Sequence, residues 1–288
     1  MAALRALCVG FAAFVALFCA ENARAHEQHG AHYLGNEGVL VVSGAAKVLF
    51  DPFFHGGLGV YQAVPAEIRA ALYAGTAPFD GVDAVFISHA HADHFDAADV
   101  LAYLKRHAAV ILVAPEQAVA QLRAHALWEE GLSARVKSLK LLIGGPAERL
   151  QVRTNDAVLE VFAARIAHAG WPNRTEVENI IYRVQAEARA IALHLGDSDA
   201  KDQHFAPYSA DFQSLRAHIA FPPFWFFGSE EARAILEQRL NAEKVVGVHV
   251  PKEVPANLRA AQEKFGFDLF TSPGEVRLID LSSVKAGK

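Results

Sequence analysis

The stretch with the most chemical potential is Phe86-Ile87-Ser88-His89-Ala90-His91-Ala92-Asp93-His94-Phe95-Asp96. It holds three imidazoles and a carboxylate within six positions, spaced by alanines that leave the segment nothing else to do. Imidazole and carboxylate are ligands that zinc-like ions accept. His89 and His91 sit two apart in near-extended backbone, so a modest bend swings both side chains to one ion. Asp93 and His94 then fall on the far side of the turn, where a second ion ~3.5–4 Å away can be held. One segment can thus feed two metals.

Both cysteines, Cys8 and Cys19, fall in an N-terminal segment that reads as a targeting sequence. Arg5 supplies a positive start, Ala6 to Ala20 is apolar, and Ala23-Arg24-Ala25 is a small-x-small cleavage site, so residues 1–25 read as a signal peptide and His26 as the mature start. The apolar run is shorter than the ~20 residues of a membrane-spanning helix, so no stable membrane anchor is expected after cleavage. A mature chain without cysteine has neither disulfides nor thiolate ligands, and its destination is the periplasm or the medium. Losing Arg5, Arg24 and Glu21 leaves 25 basic against 31 acidic residues. That acidic balance, with no basic run, offers no footprint for nucleic acid. Residues 26–288 suit a single domain, and a hydrophobic content of 52% supports a sizeable core.

The elements that must position the cluster follow from periodicity. Val39–Val42 and Val48–Phe50 flank a turn at Gly44, giving a hairpin that ends at Asp51-Pro52. Further strand signals lie at 84–87, 110–113, 158–162, 180–184, 191–195 and 245–250. Helical spacing recurs at 65–73, 96–106, 115–127, 229–240 and 255–265. Asp96 is placed to cap the helix after the cluster. Gly144-Gly145-Pro146 is the strongest internal break. Two β-rich halves joined there and covered by helices make an α/β fold, a four-layer αβ/βα sandwich of two mixed sheets. Residues 26–33, with His26, His29 and His32, read as a frayed polar terminus.

The string HAHADH at 89–94 resembles the HxHxDH signature of the metallo-β-lactamase superfamily, and the likeness extends over nearly the whole mature chain. That resemblance implies further ligands at later strand ends. His168, after the strand at 158–162, would join His89 and His91 on the first metal. Asp197, in Leu195-Gly196-Asp197-Ser198, would bridge both metals. His249, after Val246-Gly247-Val248, would complete the second site with Asp93 and His94. The implied cofactor is a pair of divalent ions, zinc first, with manganese or iron as alternatives. Asp51 resembles the family's strand-end aspartate that steadies the ligand loops, although a turn aspartate before Pro52 would look the same. His194 either orients a ligand or satisfies a core hydrogen bond.

The resemblance implies a hydrolase in which a metal-bridging hydroxide attacks a lactone, ester or phosphodiester, with Asp93 orienting the nucleophile and carrying its proton. Two divalent ions offset by Asp93, Asp197 and that hydroxide leave the centre positive by about one charge, which favours anionic small molecules. The absence of cysteine excludes the thiolate-using lactamases. Gly35-Asn36-Glu37-Gly38, the DPFF run at 51–54 and Gly196-Asp197-Ser198 are similar to the ascorbate-phosphate lactonase-like branch. An iron-dependent oxidoreductase, of the persulfide dioxygenase type, is the alternative on the same scaffold. Trp171, Arg174 and the run from Phe221 to Phe227 either line the pocket, giving the substrate an apolar or anionic part, or serve as core and solvated loop. Secretion in a bacterial host should yield a chain beginning at His26. Intact mass of the exported protein reads this, and a product retaining Met1 would contradict it.

Overall fold

The computed structural model of the chain describes residues 29–56, 58–155, 157–186 and 190–282. The leader at 1–25 and His26 therefore lie outside the described residues. The first half supplies β1 (Gly30–Gly35), β2 (Gly38–Ser43), β3 (Ala46–Phe50), β4 (Ala84–Phe86), β5 (Ile111–Pro115) and β6 (Val136–Leu139). The second half supplies β7 (Glu148–Arg153), β8 (Val158–Arg165), β9 (Ile180–Ala186), β10 (Ile191–His194), β11 (Ala217–Phe221), β12 (Ala242–Gly247) and β13 (Asp268–Leu269), and β14 (Val276–Leu278) ends the set. They form two seven-stranded sheets, ordered β14-β1-β2-β3-β4-β5-β6 and β13-β12-β11-β10-β9-β8-β7. Both are mixed: β3 to β6 and β10 to β13 run parallel, and the remaining pairs are antiparallel. The expected join holds, because Gly144–Pro146 falls between β6 and β7, where one sheet ends and the other begins.

Alternation along the strands builds the layers. In β3, Val48 and Phe50 face the other sheet while Leu49 faces the helices, and in β4, Ala84 and Phe86 do the same around Val85. In β9, Ile180 and Tyr182 turn inward and Ile181 turns outward. Such strands are buried on both faces and must be apolar throughout, which parallel strands covered by helices require. The inter-sheet layer centres on Phe50, Phe86, Tyr182, Phe221 and Phe270. Helices Ala97–Arg106 and Glu116–Ala124 cover the first sheet through Val100, Leu104, Val119 and Leu122. Phe205, Phe212, Ile235 and Leu258 cover the second.

Several expectations need correction. Within the terminus read as frayed, residues 30–33 belong to β1, with Ala31, Tyr33 and Leu34 buried and with partners on both sides in β2 and β14. Its glycines and His32 mask a strand whose inward residues are few, Ala31 and Tyr33. The strands at 136–139, 148–153 and 217–221 carried no clear signal because two are short and the third alternates charge with modest apolar side chains. The helix expected over 229–240 changes to π-helical geometry at Ile235–Arg239. Among the described residues no helix is long and apolar enough to cross a membrane.

Phe86 is fully buried, with its ring centroid 5.5 Å from Phe50 and 5.2 Å from Tyr182 across the sheets. Truncation there leaves a cavity that neither sheet can close. Phe86→Ala is therefore expected to cost about 3–5 kcal/mol in chemical denaturation, and a loss below ~1 kcal/mol would show that the inter-sheet layer does not hold the fold.

Candidate metal centre

The ends of β3, β4, β8, β10 and β12 converge on one rim, and each delivers a polar group just past its last residue. Binding sites in open α/β sheets collect at such strand ends. After β4 the chain turns tightly, with the His94 and Phe95 amides both donating to the His91 carbonyl. Asp96 then accepts from the Asp99 amide and caps the following helix, as expected. The turn brings His89 and His94, both fully buried, onto one wall of a cavity with Asp93 beside them.

All seven residues proposed from the sequence come together there, in two donor sets. In the first, His89 Nε2 lies 3.1 Å from His91 Nδ1, and His168 Nε2 lies 3.2 Å from Asp197 Oδ2. In the second, His94 Nε2 and His249 Nε2 each lie 3.3 Å from Asp197 Oδ1, and His249 Nε2 lies 3.5 Å from Asp93 Oδ2. Donors ~2.0–2.1 Å from one ion in a tetrahedron stand roughly 3.3 Å apart, so these spacings suit coordination. Asp197 presents one oxygen to each set.

Whether the donors fit metal ions can be tested on their hydrogen bonding. His94 Nε2, His168 Nε2, His249 Nε2 and Asp197 Oδ1 are buried without a hydrogen-bond partner. Each such orphan costs about 1–3 kcal/mol, and four converging on one cavity fit cation ligands. The far ring nitrogens of His89, His94 and His168 are occupied, whereas His249 Nδ1 is buried without a partner. His94 Nδ1 lies 2.9 Å from Asp51 Oδ2, His168 Nδ1 donates to the Ala169 carbonyl at 2.7 Å, and His89 Nδ1 meets Ser88 Oγ at 2.9 Å. These contacts fix the tautomer that leaves a lone pair on Nε2.

Asp51 thus does more than turn the chain. Its Oδ1 takes the Ser88 amide at 2.7 Å while Oδ2 takes Ser88 Oγ and faces His94. His194 lies on the inter-sheet face, stacked on Phe50, and accepts from the Gly196 amide at 3.3 Å while donating from Nε2 to the Glu37 carbonyl. It steadies the turn that carries Asp197. Gly196 has φ +50°, and a Cβ there would sit 2.4 Å from Asn179 Oδ1 and 2.6 Å from Ser88 Cβ, so only glycine fits. His249 lies two residues past β12 with φ 58°, a strained conformation of the kind that collects at functional sites. Its amide is anchored to the Asn36 carbonyl at 2.9 Å.

A cavity of about 640 Å³ opens over Asp93, Asp197 and His249 and is also lined by Tyr61, Arg174 and Trp225. Trp171 packs on His204 instead, at 5.3 Å between ring centroids. The aromatic run divides: Phe221, Phe226 and Phe227 are core, while Trp225 faces the cavity. Asn36, Glu37 and Tyr61 went unassigned in the sequence. The first two form a polar turn between apolar strands, and Tyr61 stands in a loop between the hairpin and the first helical segment. Asn36 donates to the Asp93 carbonyl at 2.9 Å, and Glu37 is fully buried.

Fold and donor geometry define a candidate metal-binding site, with two donor sets sharing Asp197, at the edge of an αβ/βα sandwich. The family model described as a β-lactamase superfamily domain matches residues 46–250, and the chain belongs to that family of metallo-β-lactamase-fold enzymes. Three solved structures share the fold. A Veillonella parvula protein, described as a possible metal-dependent hydrolase, is 12% identical with a TM-score of 0.60 over 88% of this chain and 100% of its own. A metallo hydrolase of the archaeon Ignicoccus hospitalis is 16% identical with a TM-score of 0.57, over 88% and 99%. An isothiocyanate hydrolase from Delia radicum gut bacteria is 16% identical with a TM-score of 0.56, over 86% and 98%. Comparison with curated proteins gives no match.

Without metal, the site holds protons. Burial pulls His249 down, but the Asp197 and Asp93 carboxylates outweigh it and raise its pKa to about 9. His94 follows the same course: burial lowers it, Asp197 and Asp51 prevail, and it ends well above its usual value. In the metal-free chain the charged His249 stabilises the fold fully below its ordinary value of 6.5, and that contribution is lost as pH rises through about 9. Metal uptake must displace these protons. Titration with Zn²⁺ at pH 7 in buffers of different ionisation heat is expected to release about two protons per protein, with affinity weakening as pH falls below 9. Binding with no proton release would contradict the assignment.

Proposed function

We propose that the chain is an exported, two-metal hydrolase that cleaves a lactone, ester or phosphodiester of a small molecule. The observation that carries this reading is Asp197, a buried carboxylate shared between two sets of orphaned imidazole donors beneath an open cavity. His89, His91 and His168 with Asp197 would hold one ion, and Asp93, His94 and His249 with Asp197 the other. Divalent ions there, zinc first and manganese or iron as alternatives, supply a water of pKa near ~7 and a Lewis acid for the acceptor oxygen.

The chain's own groups do the rest. Burial raises the Asp93 carboxyl, but the charges of the neighbouring His249 and His94 imidazoles outweigh it, so Asp93 stays ionised below its usual value. It orients the attacking water and takes up its proton at Oδ1. Burial first, and then the Asp197 and Asp93 charges, hold the Tyr61 phenol protonated, leaving a hydrogen-bond donor in the cavity wall. Asn36 fixes the Asp93 backbone, so the carboxylate does not drift during turnover.

The test is metal analysis of the purified mature form with a screen of lactones, carboxylic esters and bis(p-nitrophenyl) phosphate. Chelation is expected to abolish cleavage, and Asp93→Asn to lower kcat by about 10²-fold or more. Full turnover by metal-free protein would overturn the proposal. Iron content with oxygen uptake on a thiol persulfide would replace it with the oxidoreductase reading.

A further inference from the structure

We propose that the cavity selects amphiphilic anions, with Arg174 as the residue that takes the substrate's carboxylate or phosphate and the aromatic part of the same wall, Tyr61 and Trp225, taking its apolar part. This inference rests on the hydrolase reading for what happens at the metals but not for what binds. Arg174 lies on the loop that follows His168, so it stands at the end of the cavity served by the first donor set. Its stem lies over Gly170, where a Cβ would come within 3.3 Å of the Arg174 Cδ, and the missing side chain lets the arginine lie along the cavity wall.

Arg174 makes no side-chain hydrogen bond or ion pair among the described residues, which sets it apart from its neighbour. Arg165, which reaches the same loop from β8, is tied to the carbonyls of Leu141, Thr175 and Val177. Structural arginines elsewhere are likewise held, Arg239 by Asp202 and Arg277 by Asp268. Arg174 is exposed at the cavity mouth and held by no group among the described residues, so its guanidinium is free to grip a planar or tetrahedral anion with two parallel bonds.

The aromatic part of the lining differs in character. Tyr61 packs edge-on against His249 at 4.0 Å between centroids and Trp225 at 5.2 Å, so both rings border the second donor set. Trp225 is pinned by its indole N–H to the Ser198 carbonyl at 2.9 Å, so its polar edge is already occupied within the protein. Leu58 extends that wall and is 70% exposed. A ligand in the cavity therefore meets both a guanidinium and apolar surface.

Three carboxylates separate the contributions in the zinc-loaded protein by isothermal titration. One carboxylate of each occupies the metals. 2-Phenylsuccinate adds a second carboxylate and a phenyl ring, 3-phenylpropanoate has the ring alone, and succinate has the second carboxylate alone. In the unmodified protein 2-phenylsuccinate should bind about tenfold more tightly than 3-phenylpropanoate, between the value of a solvated pair and that of a buried charged hydrogen bond. It should also bind more tightly than succinate. Arg174→Gln should bring the first ratio to within about twofold without changing 3-phenylpropanoate binding, and Arg174→Lys should retain part of it. An unmodified protein that does not distinguish 2-phenylsuccinate from either partner, or a ratio unchanged in Arg174→Gln, overturns the proposal. These contrasts are read whether or not any ester is cleaved, so failure of the hydrolase reading would appear separately, as absent turnover with binding selectivity intact.

Discussion

The centre depends on burying Asp197. A carboxylate withdrawn from water costs several kcal/mol unless matched charge returns it. Here the match comes from imidazoles on both sides: His168 faces Oδ2, and His94 and His249 face Oδ1. Burial alone would raise the Asp197 pKa, yet the surrounding His249 and His94 charges drive it well below the carboxylate range. The ionised carboxylate and the imidazoles around it then form a cage whose donors suit cations. Its position follows from one backbone feature, the left-handed Gly196, which brings the Asp197 turn within van der Waals reach of Ser88.

Each sheet holds part of the cage, so the site also clamps the two halves of the molecule. His89, His91, Asp93 and His94 come from the first sheet, and His168, Asp197 and His249 from the second. The clamp is reinforced below the ligands by the Tyr182 hydroxyl donating to the Ile87 carbonyl at 2.9 Å and the Ile180 amide donating to the Ser88 carbonyl at 2.9 Å. Asp51 links β3 to the ligand turn, and His194 links β10 to the β1–β2 turn through Glu37. A ligand set drawn from opposite sheets keeps its spacing only while the inter-sheet layer stays packed, which ties metal affinity to core rigidity.

Much of this was legible in the sequence because metal chemistry needs rare residue types at fixed order. HAHADH declared the ligand turn, and once the family resemblance was drawn, His168, Asp197 and His249 fell at the ends of strands recognised from their apolar runs. The layered fold followed from strand and helix alternation about the Gly144–Pro146 break. What stayed hidden works through backbone or shape. β1 escaped because its glycines and His32 look like a polar tail, although Tyr33 stacks on Phe270 at 4.9 Å. Asn36 acts through one amide and one carbonyl, which no spacing rule announces. Trp225 and Phe226 are adjacent, yet the short 3₁₀ turn at Phe224–Phe227 sends one to the cavity and the other to the core.

Glu37 shows how the charge balance of the centre extends beyond its ligands. It is fully buried, neither carboxylate oxygen has a hydrogen-bond partner, and Oε2 stands 3.6 Å from His194 Nε2 and 3.9 Å from His94 Nδ1. Burial, and after it the negative charge of Asp197, push its pKa well above the usual carboxylate range. In the metal-free chain a neutral Glu37 leaves the balance between Asp197 and its imidazoles undisturbed, whereas an ionised one would repel the Asp197 carboxylate. The same low-dielectric layer that makes Asp197 depend on its imidazoles thus keeps a second carboxyl silent beside them. Burial next to one anion decides the state of the other.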